Sequence, residues 1–288
     1  MSKYSVFSVM TPEWTPEKLL EKLHQYGYSA VEWRYKRMGP ELRVEAPSFW
    51  GNNLCTITPA MSDQYLADLH EKATELQVST LSINAYLTCG DLQETENVLK
   101  VAKKLGAQMI RLGVPSYDGS QHYDDLFKKA RLYIHQAEQL CEQYEVKGLI
   151  ETHHATIAPS ASMAWRLVDG CHPDYIGVLY DPGNLVHEGY ENHRMALQLL
   201  GPYLAHVHVK NAKWQREDGN MKWNVQWERV DHGVVCWEQV LLDLEEVGYR
   251  GYLGIEDFSR AFSAEKSLAF HEAFLKEVVQ KSGFSLFE

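Results

Sequence analysis

The sequence predicts an α/β protein built as a (β/α)8 barrel, a single domain spanning residues 1–288. Three observations carry that expectation. Short apolar runs alternate with longer amphipathic ones about eight times, the pattern of parallel strand–helix units. The 288 residues suit eight such units, which typically take about 250. An open doubly wound sheet would want a glycine-rich phosphate loop after its first strand, and MTPEWTPE (10–17) stands there instead.

Taken in order, the first strand is YSVFSVM (4–10). The helix TPEKLLEKLHQYG (15–27) follows, with Thr15 as N-cap, Pro16 at the first helical position and Gly27 past the end. SAVEWR (29–34) and VSTLSINAY (78–86) are strands, separated by a loop 35–61 and the helix 62–77. The helix 93–106 precedes the strand AQMIRLGV (107–114), and the long helix 123–145 precedes VKGLIETH (146–153). The helix 160–170, the strand YIGVLYD (175–181), the helix 191–201 and the strand AHVHVK (205–210) come next. A second long loop, 211–235, leads to the helix 236–248, the strand GYLGIED (251–257) and the helix 264–283. The strands are apolar along most of their length, as strands covered on both faces should be. Several helices end in Gly, the usual left-handed stop. Pro182-Gly183 is read as a tight turn closing the sixth strand. Tryptophans in the two long loops (Trp50, Trp214, Trp223, Trp227) are expected to roof a pocket or to pack in a homodimer or homotetramer.

Composition excludes several classes. A net charge of −11 with no lysine–arginine block disfavours nucleic-acid partners. No apolar run approaches the ~18 residues that span a bilayer, and MSKYSVFSVM is too polar for a signal peptide. Five scattered cysteines without a CxxC pair point to reduced thiols in a cytoplasm, buried as small hydrophobes, and away from a cysteine-built zinc site.

In a parallel barrel the C-terminal strand ends share one mouth, where active sites are built. The fifth strand ends on Glu151, the sixth on Asp181, the seventh on His206 and His208, and the eighth on Glu256. Three carboxylates converging without a partner would repel one another at a cost of several kcal/mol. A divalent cation removes that cost. A set of three oxygens and one nitrogen suits Mn²⁺ first, with Mg²⁺, Co²⁺ or Zn²⁺ as alternatives. His206 and His208 face the same way, two residues apart; His208 lies nearer the mouth and is the better ligand, with His206 supporting it one layer deeper.

These motifs, LIETHH, LYDPGN, HVHVKN and the closing stretch 233–259, resemble the xylose isomerase-like TIM barrels, within them the sugar phosphate isomerase/epimerase group that includes ketose 3-epimerases and inosose dehydratases. VEWR (31–34) and Phe7-Ser8 are weaker marks of the same group. The resemblance implies Glu151, Asp181, His208 and Glu256 as ligands of one divalent metal, with Glu151 and Glu256 also the catalytic acid/base pair. It implies an isomerase or epimerase of a small polyhydroxy ketone, working by proton transfer through an enediolate. The alternative is a lyase that dehydrates a keto-inositol. The chain departs from the epimerases at two positions. Asn184 stands where they commonly have a histidine, and Lys210-Asn211 follows the histidine ligand where they use an arginine. Asn184 and Lys210 remain candidates for binding substrate hydroxyls or an anion. His153, Glu32, Arg34 and Arg111 are further substrate-contact candidates, Glu32 and Arg34 having a structural ion pair as their other reading. His154 is expected to point outside the barrel. A zinc endonuclease would want more histidines and a basic groove. A hydride-shift aldose isomerase would want a lysine in the fifth-strand motif. A non-catalytic sugar-binding barrel would be favoured by loss of a glutamate ligand, and neither is lost.

Overall fold

A computed structural model describes residues 3–217, 219 and 222–284. The single-domain reading also spans residues 1, 2, 218, 220, 221 and 285–288, which lie outside the described residues. Eight parallel strands close into a barrel in the order β1-β10-β7-β6-β5-β4-β3-β2. They are β1 (Tyr4–Phe7), β2 (Ala30–Tyr35), β3 (Ser79–Ala85), β4 (Met109–Arg111), β5 (Lys147–Glu151), β6 (Ile176–Tyr180), β7 (Leu204–Val209) and β10 (Leu253–Ile255). The outer layer holds α1 (Pro16–Tyr26), α2 (Asp63–Glu75), α3 (Leu92–Leu105), α4 (Tyr123–Tyr144), α5 (Ala161–Val168), α7 (His193–Leu200), α8 (Trp237–Glu246) and α9 (Ala264–Ser282). The largest apolar cluster lies between the strands and this helical layer, drawing on nearly every element. A smaller cluster of Ala30, Leu81, Met109, Leu149 and Leu179 fills the barrel floor.

Local chemistry explains the helix boundaries. The Thr15 hydroxyl accepts from Lys18 N, Pro16 opens α1, and Gly27 closes it at φ 78°, all as the sequence indicates. Several segments differ from expectation. Pro182-Gly183 does not form a simple turn: it starts a short helix, α6 (Pro182–Glu188), capped by Asp181. Proline is favoured at the first helical position and aspartate at the cap, so Asp181-Pro182-Gly183 serves a helix start as readily as a turn. The loop 211–235 contains an antiparallel hairpin, β8 (Asn211–Arg216) with β9 (Trp223–Glu228). β8 is mostly polar and β9 alternates apolar with polar residues, so neither carries the continuous apolar run of a barrel strand. Cross-strand pairs such as Ala212–Trp227 and Trp214–Val225 hold them together instead. The Asn211 amide staples the hairpin base, donating to Val230 O and Val235 O at 2.7 and 2.9 Å. The first strand is also shorter than expected, turning at Ser8–Met10 into a single 3₁₀ turn. Cys55, Cys89, Cys141 and Cys171 are buried, whereas Cys236 is exposed at the start of α8.

Candidate metal centre

Each site residue sits where a strand stops. Glu151 is the last residue of β5, Asp181 follows β6, His208 lies near the end of β7, and Glu256 follows β10. One ligand atom from each of Glu151, Asp181, His208 and Glu256 lies within 4.8 Å of the others. All four are buried. His208 Nδ1 lies 3.8 Å from Glu151 Oε1, 3.7 Å from Asp181 Oδ2 and 3.5 Å from Glu256 Oε2. That nitrogen is buried with no hydrogen-bond partner. Donors around one cation with bonds of about 2.1 Å stand about 3.0–3.4 Å apart. An orphaned nitrogen facing three carboxylate oxygens at slightly more than that spacing fits a divalent ion, and the four groups could hold one.

Asp181 divides its two oxygens between tasks. Oδ1 accepts from Asn184 N at 2.9 Å and so caps α6, while Oδ2 faces His208 and lies 2.8 Å from Lys210 Nζ. Its backbone is held as well, Asp181 N donating to Thr152 Oγ1 at 2.8 Å. Asn184 stitches the ligands from behind, donating to Asp181 Oδ2 (2.8 Å), Thr152 O (3.1 Å) and Glu151 Oε1 (3.3 Å). Gly183 makes room for this packing, because a Cβ there would sit 2.9 Å from Lys210 Cβ.

Beneath the ligands lies a second polar layer. The fully buried Glu32 bridges the two histidines, with Oε1 2.9 Å from His206 Nε2 and Oε2 2.9 Å from His208 Nε2. Ser5 and Asn84 also donate to it. Burial alone would raise the Glu32 carboxyl, but His206 and His208 outweigh it and hold the group well below the usual range. His208 is held well above its usual value in the same way: burial opposes the charge, and the Glu32 and Glu256 carboxylates prevail. Gly254 of β10 is required here, since a Cβ would lie 2.2 Å from Glu32 Oε1.

The mouth opens into a cavity of about 550 Å³. Glu151, Glu256, His153, Lys210 and Arg111, all candidates from the sequence, line it. Arg111 Nη1 donates to Glu151 Oε2 at 2.7 Å. Lys210 also contacts Glu256 and packs over the rings of Trp227 and Phe258 at 4.7 and 5.0 Å. Burial would lower the Lys210 ammonium, but Asp181, Glu256 and Glu151 raise it and keep it charged.

Three candidates do not reach the cavity. Glu32 is occupied by the histidines, so its structural pairing is with His206 and His208 and not with Arg34. Arg34 is fully buried, its guanidinium donating to Thr56 Oγ1 and, at 3.3 Å, to Trp50 O. Asn184 is wholly engaged: its amide N–H groups donate to the ligand carboxylates and the Thr152 carbonyl, and its Oδ1 accepts from Lys210 Nζ at 3.1 Å. His154, expected outside the barrel, instead lines the cavity and stacks on His187 at 4.0 Å between centroids. The β5 strand ends at Glu151, so the alternation of strand side chains no longer governs 153 and 154. Burial, then His153 and Lys210, push the His154 imidazole down to about 4. Trp50 and Trp227 do roof the cavity, while Trp214 and Trp223 remain exposed. Tyr86 and Phe258 also line it; isolated aromatics past strand ends carried no signal of their own.

The family model described as xylose isomerase-like TIM barrel matches residues 20–277. The chain belongs to that family. Within the xylose isomerase-like TIM barrels, a curated relative is an inosose dehydratase of Geobacillus kaustophilus, 23% identical over 135 residues. That alignment covers 43% of this chain and 42% of the relative, so the chain spans less than half of its length. Among solved structures, the IOLI protein crystallised with a bound zinc atom superposes at TM-score 0.76 with 17% identity, covering 97% of this chain and 99% of that one. An L-ribulose 3-epimerase superposes at TM-score 0.72 with 13% identity, covering 98% and 96%. At such identities these two likenesses establish the shared barrel. No described helix is long and apolar enough to cross a membrane.

Proposed function

We propose that this chain is a divalent-metal-dependent isomerase or epimerase of a small polyhydroxy ketone, a sugar or sugar-like molecule. The observation that carries the reading is the meeting of Glu151, Asp181, Glu256 and the partnerless Nδ1 of His208 beneath an open cavity. These four side chains would hold the ion. Manganese suits three oxygens and a nitrogen best, with magnesium, cobalt or zinc as alternatives. When bound, the ion supplies Lewis-acid charge for the oxyanion that develops as a carbon beside a carbonyl loses its proton.

The chain's own residues do the proton work. One of Glu151 and Glu256 takes the carbon-bound proton and the other returns one. Arg111 orients Glu151, and Lys210 keeps Glu256 well below the usual carboxylate range against the opposing effect of burial, with His208 adding to it. Return to the opposite face of the same carbon epimerises; return to the neighbouring carbon isomerises. His153, Lys210 and Arg111 bind substrate hydroxyls, and Trp227 and Phe258 offer ring faces to its C–H groups. Glu32, Asn184 and Arg34 act as positioning residues behind them. The thiols support a cytoplasmic setting, and the exposed Trp214 and Trp223 support a dimer or tetramer.

Incubating the Mn²⁺-loaded protein with a panel of ketoses and inososes in D₂O tests the reading. Deuterium uptake with altered stereochemistry and no loss of water is expected. No exchange in any candidate, with metal bound, overturns it in favour of a non-catalytic sugar-binding barrel. A second reading, dehydration of a keto-inositol, is favoured by the match to a protein named inosose dehydratase. Release of water in the same experiment selects it.

A further inference from the structure

A second cluster of metal-binding side chains lies on the helical layer, away from the mouth. His135 and Glu138 stand one turn apart on α4, and Cys171 lies between α5 and β6. Their donors, an imidazole nitrogen, a carboxylate oxygen and a sulfur, fall within 4.8 Å of one another. His135 Nδ1 is 3.6 Å from Cys171 Sγ and 3.6 Å from Glu138 Oε2. A tetrahedral zinc with ordinary bonds of about 2.3 Å to sulfur and about 2.0–2.1 Å to nitrogen and oxygen sets S···N about 3.6 Å and N···O about 3.4 Å apart. The donors therefore already stand near zinc spacing.

The surroundings fit a bound ion as well. Cys171 is buried, Glu138 is mostly covered and His135 is partly open, which leaves one side free for a water ligand. The Glu138 carboxylate is steadied by the backbone N–H of His172. Burial and then Glu138 push the Cys171 thiol up to about 12, so without a cation the sulfur keeps its proton.

We propose that His135, Glu138 and Cys171 form a second divalent-metal site, selective for zinc. On binding, the Cys171 S–H bond breaks, its proton leaves to solvent and a zinc–thiolate bond forms, so affinity rises with pH. The site sits on the half of α4 that leads into β5 and on the segment that leads into β6, the barrel end opposite the mouth. It is too remote to act on a substrate held by Glu151 and Glu256. Its work is to clamp α4 to the segment that enters β6, where Arg131 of α4 already donates to Asp169 O and, at 3.0 Å, to Leu167 O at the end of α5.

Cobalt titration of the full chain tests this independently of the proposed activity. The mouth donors include no sulfur, so a thiolate-to-cobalt charge-transfer band that is lost in Cys171→Ser or His135→Ala reports the outer site and not the exposed Cys236. The wild type is expected to show that band and to retain one more equivalent of zinc than Cys171→Ser or His135→Ala. The His135 side chain is partly exposed, so His135→Ala remains informative if Cys171→Ser does not fold. Absence of the band, or equal zinc content in wild type and His135→Ala, overturns the proposal.

Discussion

Glu32 grips His208 from below: its Oε2 lies 2.9 Å from His208 Nε2, while Nδ1 on the other edge of the ring faces the three carboxylates. The carboxylate fixes both the tilt of the ring and the nitrogen that carries hydrogen. Glu32→Gln is expected to weaken Mn²⁺ binding about 10–100-fold, the usual cost of losing such a partner. Isothermal titration calorimetry measures it, and an unchanged affinity would mean that the ring is held by packing alone.

Glu151 and Glu256 both line the cavity, and the proposed proton transfer needs each of them. Glu151→Gln and Glu256→Gln should each lower solvent-deuterium incorporation by about 10²–10⁴-fold. Full activity in either variant removes that residue from the acid/base role.

Lys210 supplies the positive charge between Asp181 and Glu256. Lys210→Met leaves those carboxylates facing each other. The metal-free variant should melt below the metal-free wild type, and added Mn²⁺ should raise its melting temperature by more than it raises the wild type's. Equal gains in both proteins would show that the ammonium does not offset the carboxylate charge.

Gly254→Ala places a methyl group against Glu32 and His206, 2.2 and 2.7 Å from their nearest atoms. The closed barrel leaves β10 little room to retreat. Overpacking of this kind costs about 1–3 kcal/mol, readable as a lower urea midpoint, together with weaker metal binding because Glu32 must move.

His193 is a buried histidine held below its usual value chiefly by burial, with Asp243 opposing. The Tyr180 hydroxyl and the His193 Nδ1 share a hydrogen bond of 2.7 Å. The unfolded chain protonates this histidine below about pH 6.5, and the folded chain does so only at lower pH. Stability should therefore fall as pH drops from about 6.5 toward the depressed value. His193→Gln should flatten that part of the curve; urea midpoints at intervals between pH 7.5 and 5 decide it.

Most of the barrel could be read from the chain because its strands are nearly continuous apolar runs, and the gathering of Glu151, Asp181, His208 and Glu256 follows from parallel strands ending on one rim. What escaped reading lay where periodicity lapses. The positions after Glu151 no longer alternate, so His154 was placed on the wrong side. Pro182-Gly183 opens a helix as well as it closes a strand, and the choice depends on the Asp181 cap finding Asn184 N. The roles of Glu32 and Arg34 depended on which neighbours the closed sheet brought to them. His135, Glu138 and Cys171 meet only because α4 packs beside the entry to β6, a contact that no spacing in the chain announces.

The β8–β9 hairpin is an addition to one loop, stapled at its root by Asn211 and carrying Trp227 over the cavity. The residues that would grip the ion belong to the barrel itself. The two parts can therefore diverge separately: exchanging the hairpin would redraw the space that a substrate must fill and leave the reactive rim intact, which makes this segment the natural place to retune which molecules are accepted.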